Sequence, residues 1–215
     1  ALSGVMGILA ALFDARRSGR GRFVDVAMSE AVLAHNLFPL FALQSRAGPQ
    51  ARGCDMLSGG DAGYGVYATA DGRYMAVAPL EEKFWHVFCD TLGRPEWKAR
   101  HGLRGAAAAE LRGEIEALFA TRTQAQWSAL FATADCCVTP VLDAAEALAH
   151  PQFVARGMAV QADGVTQCAP PLKMSDWRFV VERAAPTPGE HGDEILREAG
   201  YAAAEIADLR KAAIV

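Results

Sequence analysis

Residues 64–92 read YGVYATADGRYMAVAPLEEKFWHVFCDTL, and the fold class follows from how that stretch changes period. Tyr64 to Thr69 and Arg73 to Val77 flank Ala70-Asp71-Gly72, and Asp-Gly supplies the positive φ that a tight hairpin turn needs. From Glu81 to Leu92 the apolar residues Phe84, Val87 and Phe88 fall at helical spacing. Two strands running directly into a helix indicate an α/β body.

Downstream, helices are expected at Ala106 to Ala120 and Gln124 to Ala134, the second opened by Thr123 as an N-cap. Cys136 to Leu142 reads as a short buried strand, Ala144 to Leu148 as a helix and Met158 to Val165 as a further strand. Pro170-Pro171 and Ala184 to Gly189 read as surface crossings, and Gly192 to Ala212 as a tail ending in a helix. Upstream, Ser45 to Gly63 is a loop rich in glycine and polar residues, placing a boundary near residue 45. Before it come a helix from Ala1 ending near Ser18-Gly19, a strand at Phe23 to Ala27, and a helix from Ser29 to beyond Leu40 bent by Pro39. Ala1 begins inside an apolar helical pattern with no capping residue ahead of it, so the chain is expected to start mid-fold.

The 215 residues carry 21 Lys and Arg against 25 Asp and Glu, a net charge of −4 that argues against a nucleic-acid partner. Hydrophobic residues make up 52%, enough for a core and too many for a disordered chain. The longest apolar run, Val5 to Phe13, is too short to span a membrane. Five cysteines without metal-ligand spacing, and no sorting signal, point to free thiols in a cytoplasmic protein. No pattern for a metal site, a nucleotide loop or a nucleophilic serine is present.

Among polar residues, Glu81 stands where a strand gives way to a helix, and in isolation a first-turn carboxylate complements the helix dipole. Gly59-Gly60 with Tyr64 could let backbone approach a ligand. Cys136 and Cys137 read as small buried hydrophobes, and the Arg100 to Arg104 tract as a solvated face.

Three segments together carry a resemblance: GILAALFDARRSGRGRFVDVAMSEA (Gly7–Ala31), MLSGGDAGYGVYATADGRYMAVAPLEEKFW (Met56–Trp85) and DCCVTPVLDAAEALAHPQFVARGM (Asp135–Met158). In that order and spacing the chain resembles the family III CoA transferases (the CaiB/BaiF family), and within them most closely the α-methylacyl-CoA racemases. The resemblance implies an interlocked homodimer, each subunit having a Rossmann-like large domain and a smaller α/β domain. Residues 1–45 and 170–215 then belong to the large domain and 46–169 to the small domain with its linkers. It implies an acyl-CoA substrate, with coenzyme A entering as part of it and no bound cofactor or metal. Glu81, in the Leu-Glu-Glu-Lys-Phe-Trp context, matches the racemases' catalytic glutamate, and Leu57, Gly59, Gly60, Tyr64 and Leu80 are placed around the acyl group. The catalytic aspartate and histidine, and the main CoA-binding positions, are expected upstream of Ala1, so the chain alone is expected to be inactive. Where the racemases commonly read Gly-Gly-Ala-Pro, this chain has Gly59-Gly60-Asp61-Ala62, which places an acid near the acyl surface and argues against a simple branched fatty acyl chain. Two alternatives stay open: CoA transfer between carboxylic acids through an aspartyl-CoA thioester, and a dimerising piece without activity.

Overall fold

The computed structural model describes residues 1–45, 51–162 and 164–215, which divide into two compact units, Ala1–Val141 and Leu142–Val215. Mixed α/β content agrees with the class expected from the sequence.

In the first unit, α1 (Leu2–Ser18) ends where Gly19 takes a left-handed φ of 70° and its N–H donates to the Ala15 carbonyl. Arg16 and Arg17 lie at the negative end of its dipole. The chain then turns back, tied by an Arg22–Asp14 ion pair of 2.7 Å. Gly7 allows this return: a β-carbon there would stand 2.9 Å from Val24 Cγ1. The strand expected at Phe23 to Ala27 does not form. Its backbone carries no ladder among the described residues, and an alternating pattern makes a strand only where a second strand accepts its hydrogen bonds.

The helix expected from Ser29 to beyond Leu40 is two helices, α2 (Met28–Ala34) and α3 (Leu37–Gln44), broken at His35-Asn36. Pro39 therefore bends nothing. It occupies the first turn of α3, where a missing N–H leaves no intrahelical bond unmade.

The core of this unit lies beyond residue 60. Strands β1 (Gly65–Ala68), β2 (Tyr74–Val77) and β3 (Val138–Pro140) form an antiparallel sheet in the order β1-β2-β3. The turn between β1 and β2 closes at Gly72, with φ of 72°, as Asp71-Gly72 predicts. Strand alternation sends Tyr67, Met75 and Val77 to the covered face and leaves Val66 and Ala76 on the other.

Helices α4 (Glu82–Thr91), α5 (Ala106–Phe119) and α6 (Gln124–Phe131) supply the remainder of the core through Trp85, Phe88, Leu111, Ile115, Phe119, Trp127 and Phe131. The rings pack at offsets typical of aromatic clusters, Phe119 to Trp127 at 4.8 Å and Trp85 to Phe88 at 5.3 Å between centroids. Each indole N–H finds an acceptor: Trp85 on the Trp97 carbonyl, Trp97 on Glu114 and Trp127 on the Phe119 carbonyl. Thr123 caps α6 in a reciprocal box with Gln126.

In the second unit, Asp143 and Glu146 form a capping box on α7 (Ala144–Ala149), and Pro151 opens α8 (Pro151–Ala155). The single strand expected at Met158 to Val165 is a hairpin, β4 (Ala159–Ala162) and β5 (Val165–Cys168), because Gly164 takes a positive φ of 77° and reverses the chain. Helices α9 (Gly192–Glu198) and α10 (Ala203–Lys211) follow, joined by an Arg210–Asp193 pair at 2.7 Å.

Candidate active site

Glu81 stands at the N-cap of α4, four residues past the end of β2, with extended backbone angles. The Ala78 N–H donates to the Cys137 carbonyl at 3.0 Å, and the Leu80 N–H turns back to the Ala78 carbonyl at 2.8 Å. His101 Nε2 lies 2.8 Å from the Leu80 carbonyl oxygen, which fixes the backbone immediately before the glutamate. Glu81 is exposed, and its side chain does not cap the helix. Glu82 is the acidic residue in the first turn and lies 3.8 Å from His86. The dipole-complementing role that Glu81 has as an isolated residue thus belongs to its neighbour, and the Glu81 carboxylate is presented outward.

Cys137 shares this corner. Its thiol is pushed above the ordinary value by partial desolvation of the sulfur and then by the charges of Glu81 and Asp135. Against the sequence reading, Cys137 is exposed and has a positive φ of 56°, while Cys136 is buried as expected. Burial holds the Cys136 thiol up at about 11.

The glycine pair belongs to a one-turn helical segment, Met56–Gly60, led by Asp55, whose carboxylate accepts the Leu57 N–H at 2.7 Å. Gly59 has a φ of 125°, and a β-carbon on Gly60 would stand 2.1 Å from the Cys54 carbonyl oxygen. Both glycines are therefore required by backbone approach within the chain itself.

Beside this turn, on the uncovered face of the sheet, is a cleft of about 460 Å³. Leu57, Gly59 and Tyr64 line it together with Val66, Ala76 and Arg112. The structure thus gathers three of the sequence-predicted binding residues. Gly60, Leu80 and Glu81 are not in the cleft wall, although Ala78, which is, precedes Glu81 by three residues.

Asp61 corrects the sequence reading. Its side chain is turned inward, accepting the Gly63 N–H at 2.8 Å and pairing with Arg104 Nη1 at 2.6 Å, and it does not line the cleft. Asp61 therefore puts no acid on the cleft wall, against the expectation from Gly59-Gly60-Asp61-Ala62. The Arg100 to Arg104 tract is likewise more than a solvated face, since Arg100 pairs with Glu114 at 2.6 Å. Arg112 was missed by sequence reasoning. It reaches from α5 to the carbonyl oxygens of Gly59, Asp61 and Tyr64 and holds the loop that forms the cleft. Among the described residues no group of His, Cys, Asp and Glu could hold a metal ion, and no helix is long and apolar enough to cross a membrane.

The sequence profile of CoA-transferase family III matches residues 1–192. The chain is 34% identical to the alpha-methylacyl-CoA racemase of Mus musculus, over 98% of this chain and 56% of that protein. It is 28% identical to the formyl-CoA:oxalate CoA-transferase of Afipia carboxidovorans, over 95% of this chain and 55% of that protein. The chain therefore spans about half the length of the curated relatives it matches. In fold it is similar to the crystal structure of a CAIB/BAIF family protein from Brucella suis, with a TM-score of 0.69 at 23% identity, over 92% of this chain and 53% of that one.

Proposed function

The chain belongs to CoA-transferase family III, and from that membership we propose that it forms part of an acyl-CoA racemase acting on a 2-methylacyl thioester. The observation that carries the reading is the exposed Glu81 side chain at the start of α4, which makes no capping hydrogen bond and stands where the resemblance puts the racemases' glutamate. Racemisation breaks the α C–H bond. The proton goes to a base on one face, the electron pair delocalises into the thioester carbonyl as an enolate, and a proton returns from an acid on the other face. In the racemases this chain resembles, an aspartate and a histidine flank the carbon. Glu81 holds the histidine and stabilises its charged form, as an opposite charge in hydrogen-bond reach does. The cleft is the acyl subsite, walled by Leu57, Gly59 and Tyr64, with Gly60 and Leu80 on the chain segments that lead into and out of it. The site is completed by a second copy in an interlocked dimer, residues 46–169 forming the small domain and the segments on either side belonging to the large one.

The test is deuterium exchange at the α-carbon of a 2-methylacyl-CoA in D2O, with the complete protein and no acceptor acid. Exchange is expected. Glu81→Gln should slow it by about a hundredfold, the lower range for acid/base catalysis, and move the imidazole-dependent limb of the pH profile to lower pH. Undiminished exchange in that variant overturns the role of Glu81. The similarity to an oxalate CoA-transferase favours a second reading, CoA transfer through an aspartyl thioester. No exchange, with turnover that requires an added carboxylic acid, would establish it.

A further inference from the structure

We propose that Arg112 makes the cleft selective for acyl groups that end in a carboxylate, an inference that rests on reading the cleft as the acyl subsite. Arg112 is half-buried in the wall, its guanidinium 5.6 Å from the centre of the Tyr67 ring. Among the described residues its hydrogen bonds all use one nitrogen, Nη2, and go to the carbonyl oxygens of Gly59 at 3.1 Å, Asp61 at 2.7 Å and Tyr64 at 3.4 Å. Among the described residues no carboxylate lies within ion-pair distance of it. Asp61, whose carbonyl oxygen Arg112 holds, has its carboxylate engaged by Arg104 and the Gly63 N–H.

A cation partly withdrawn from water, hydrogen-bonded to carbonyl oxygens and with no carboxylate paired to it among the described residues, favours an anionic partner. Its second terminal nitrogen, Nη1, lies against Gly65 in the cleft wall, where a β-carbon would stand 2.8 Å from it. The rest of the wall, Leu57, Val66, Ala76 and Val77, suits a short hydrocarbon stem. A stem with a terminal anion satisfies both surfaces. Coenzyme A also carries anions in its phosphates, and the test separates the two sources.

The experiment titrates the complete protein calorimetrically with 2-methylpentanoyl-CoA, with 2-methylglutaryl-CoA and with free CoA; the two thioesters differ only in a terminal methyl or carboxylate. The carboxylate-bearing thioester is expected to bind at least about tenfold more tightly. Arg112→Gln should remove that preference, and Arg112→Lys should keep part of it. A wild-type protein that binds both thioesters equally, and more tightly than free CoA, overturns the proposal without any variant. An Arg112→Gln protein that loses the same affinity for all three ligands assigns the anion to CoA and overturns it too. Equal loss for the two thioesters with free CoA unchanged reduces Arg112 to a loop clamp. Because the readout is affinity, a failure of α-proton exchange leaves this test intact. Thioesters that bind no better than free CoA remove the acyl-subsite reading and the proposal with it.

Discussion

Tyr67 shows how a single buried group ties stability to pH. Its hydroxyl donates to the Ala62 carbonyl at 2.5 Å, and burial pushes its pKa up to about 12. The thiols of Cys89 and Cys136 are raised by burial to about 12 and about 11. All three groups are neutral in the fold and ionise more readily when unfolded, so the stability they contribute is whole below about pH 9 and is lost as pH rises toward 12. Tyr67 accounts for about 2 kcal/mol of that loss between pH 10 and 12. Urea unfolding at pH 8 to 11 should show the decline, and Tyr67→Phe should flatten it above pH 10; an unchanged slope would refute the assignment. At this scale the sequence revealed residue types but not their partners. Asp61 was legible as a charge, whereas its neutralisation by Arg104, far along the chain, was not. Arg112 was invisible because its partners are carbonyl oxygens, which every residue has.

Elements were legible where the signal was local. The Asp71-Gly72 turn, the Thr123 cap and the helices following Glu81, Gly105 and Thr123 could all be read because their determinants lie within a few residues. Phe23 to Ala27 and Pro39 were misread because their outcome depends on a ladder partner or on where a helix begins. Gln124 is a joint between elements: buried at the start of α6, it donates to the Tyr74 carbonyl on β2 at 2.7 Å and to the Val141 carbonyl just past β3 at 2.9 Å. Asp71 adds a second tie, accepting the Gln124 N–H at 3.1 Å. Gln124→Leu leaves the Val141 carbonyl without that donor and should cost about 1–3 kcal/mol. It would appear as a lower urea midpoint at constant m-value. An unchanged midpoint would mean that water replaces the amide at no cost.

The whole molecule is unevenly buried. None of the side chains of α1, α2 or α3 is buried, and Leu2, Met6, Phe13, Val32 and Phe41 are more than two-thirds exposed. So much apolar surface needs cover. If residues 1–45 belong to the large domain of an interlocked dimer, the 215-residue chain alone should associate and bind a hydrophobic dye, and deleting residues 1–45 should lower the dye signal. Light scattering that finds a stable, dye-free monomer would count against interlocking. The order of the sheet has a kinetic counterpart. β2 lies between β1, next to it in sequence, and β3, which arrives only after α4, α5 and α6. The hairpin can close within microseconds, but the pairing of Met75 with Pro140 must wait for a long loop to form. During synthesis, one edge of β2 therefore stays bare until the chain has emerged past Val138, and a stall before that point would leave an open strand edge available to another nascent chain.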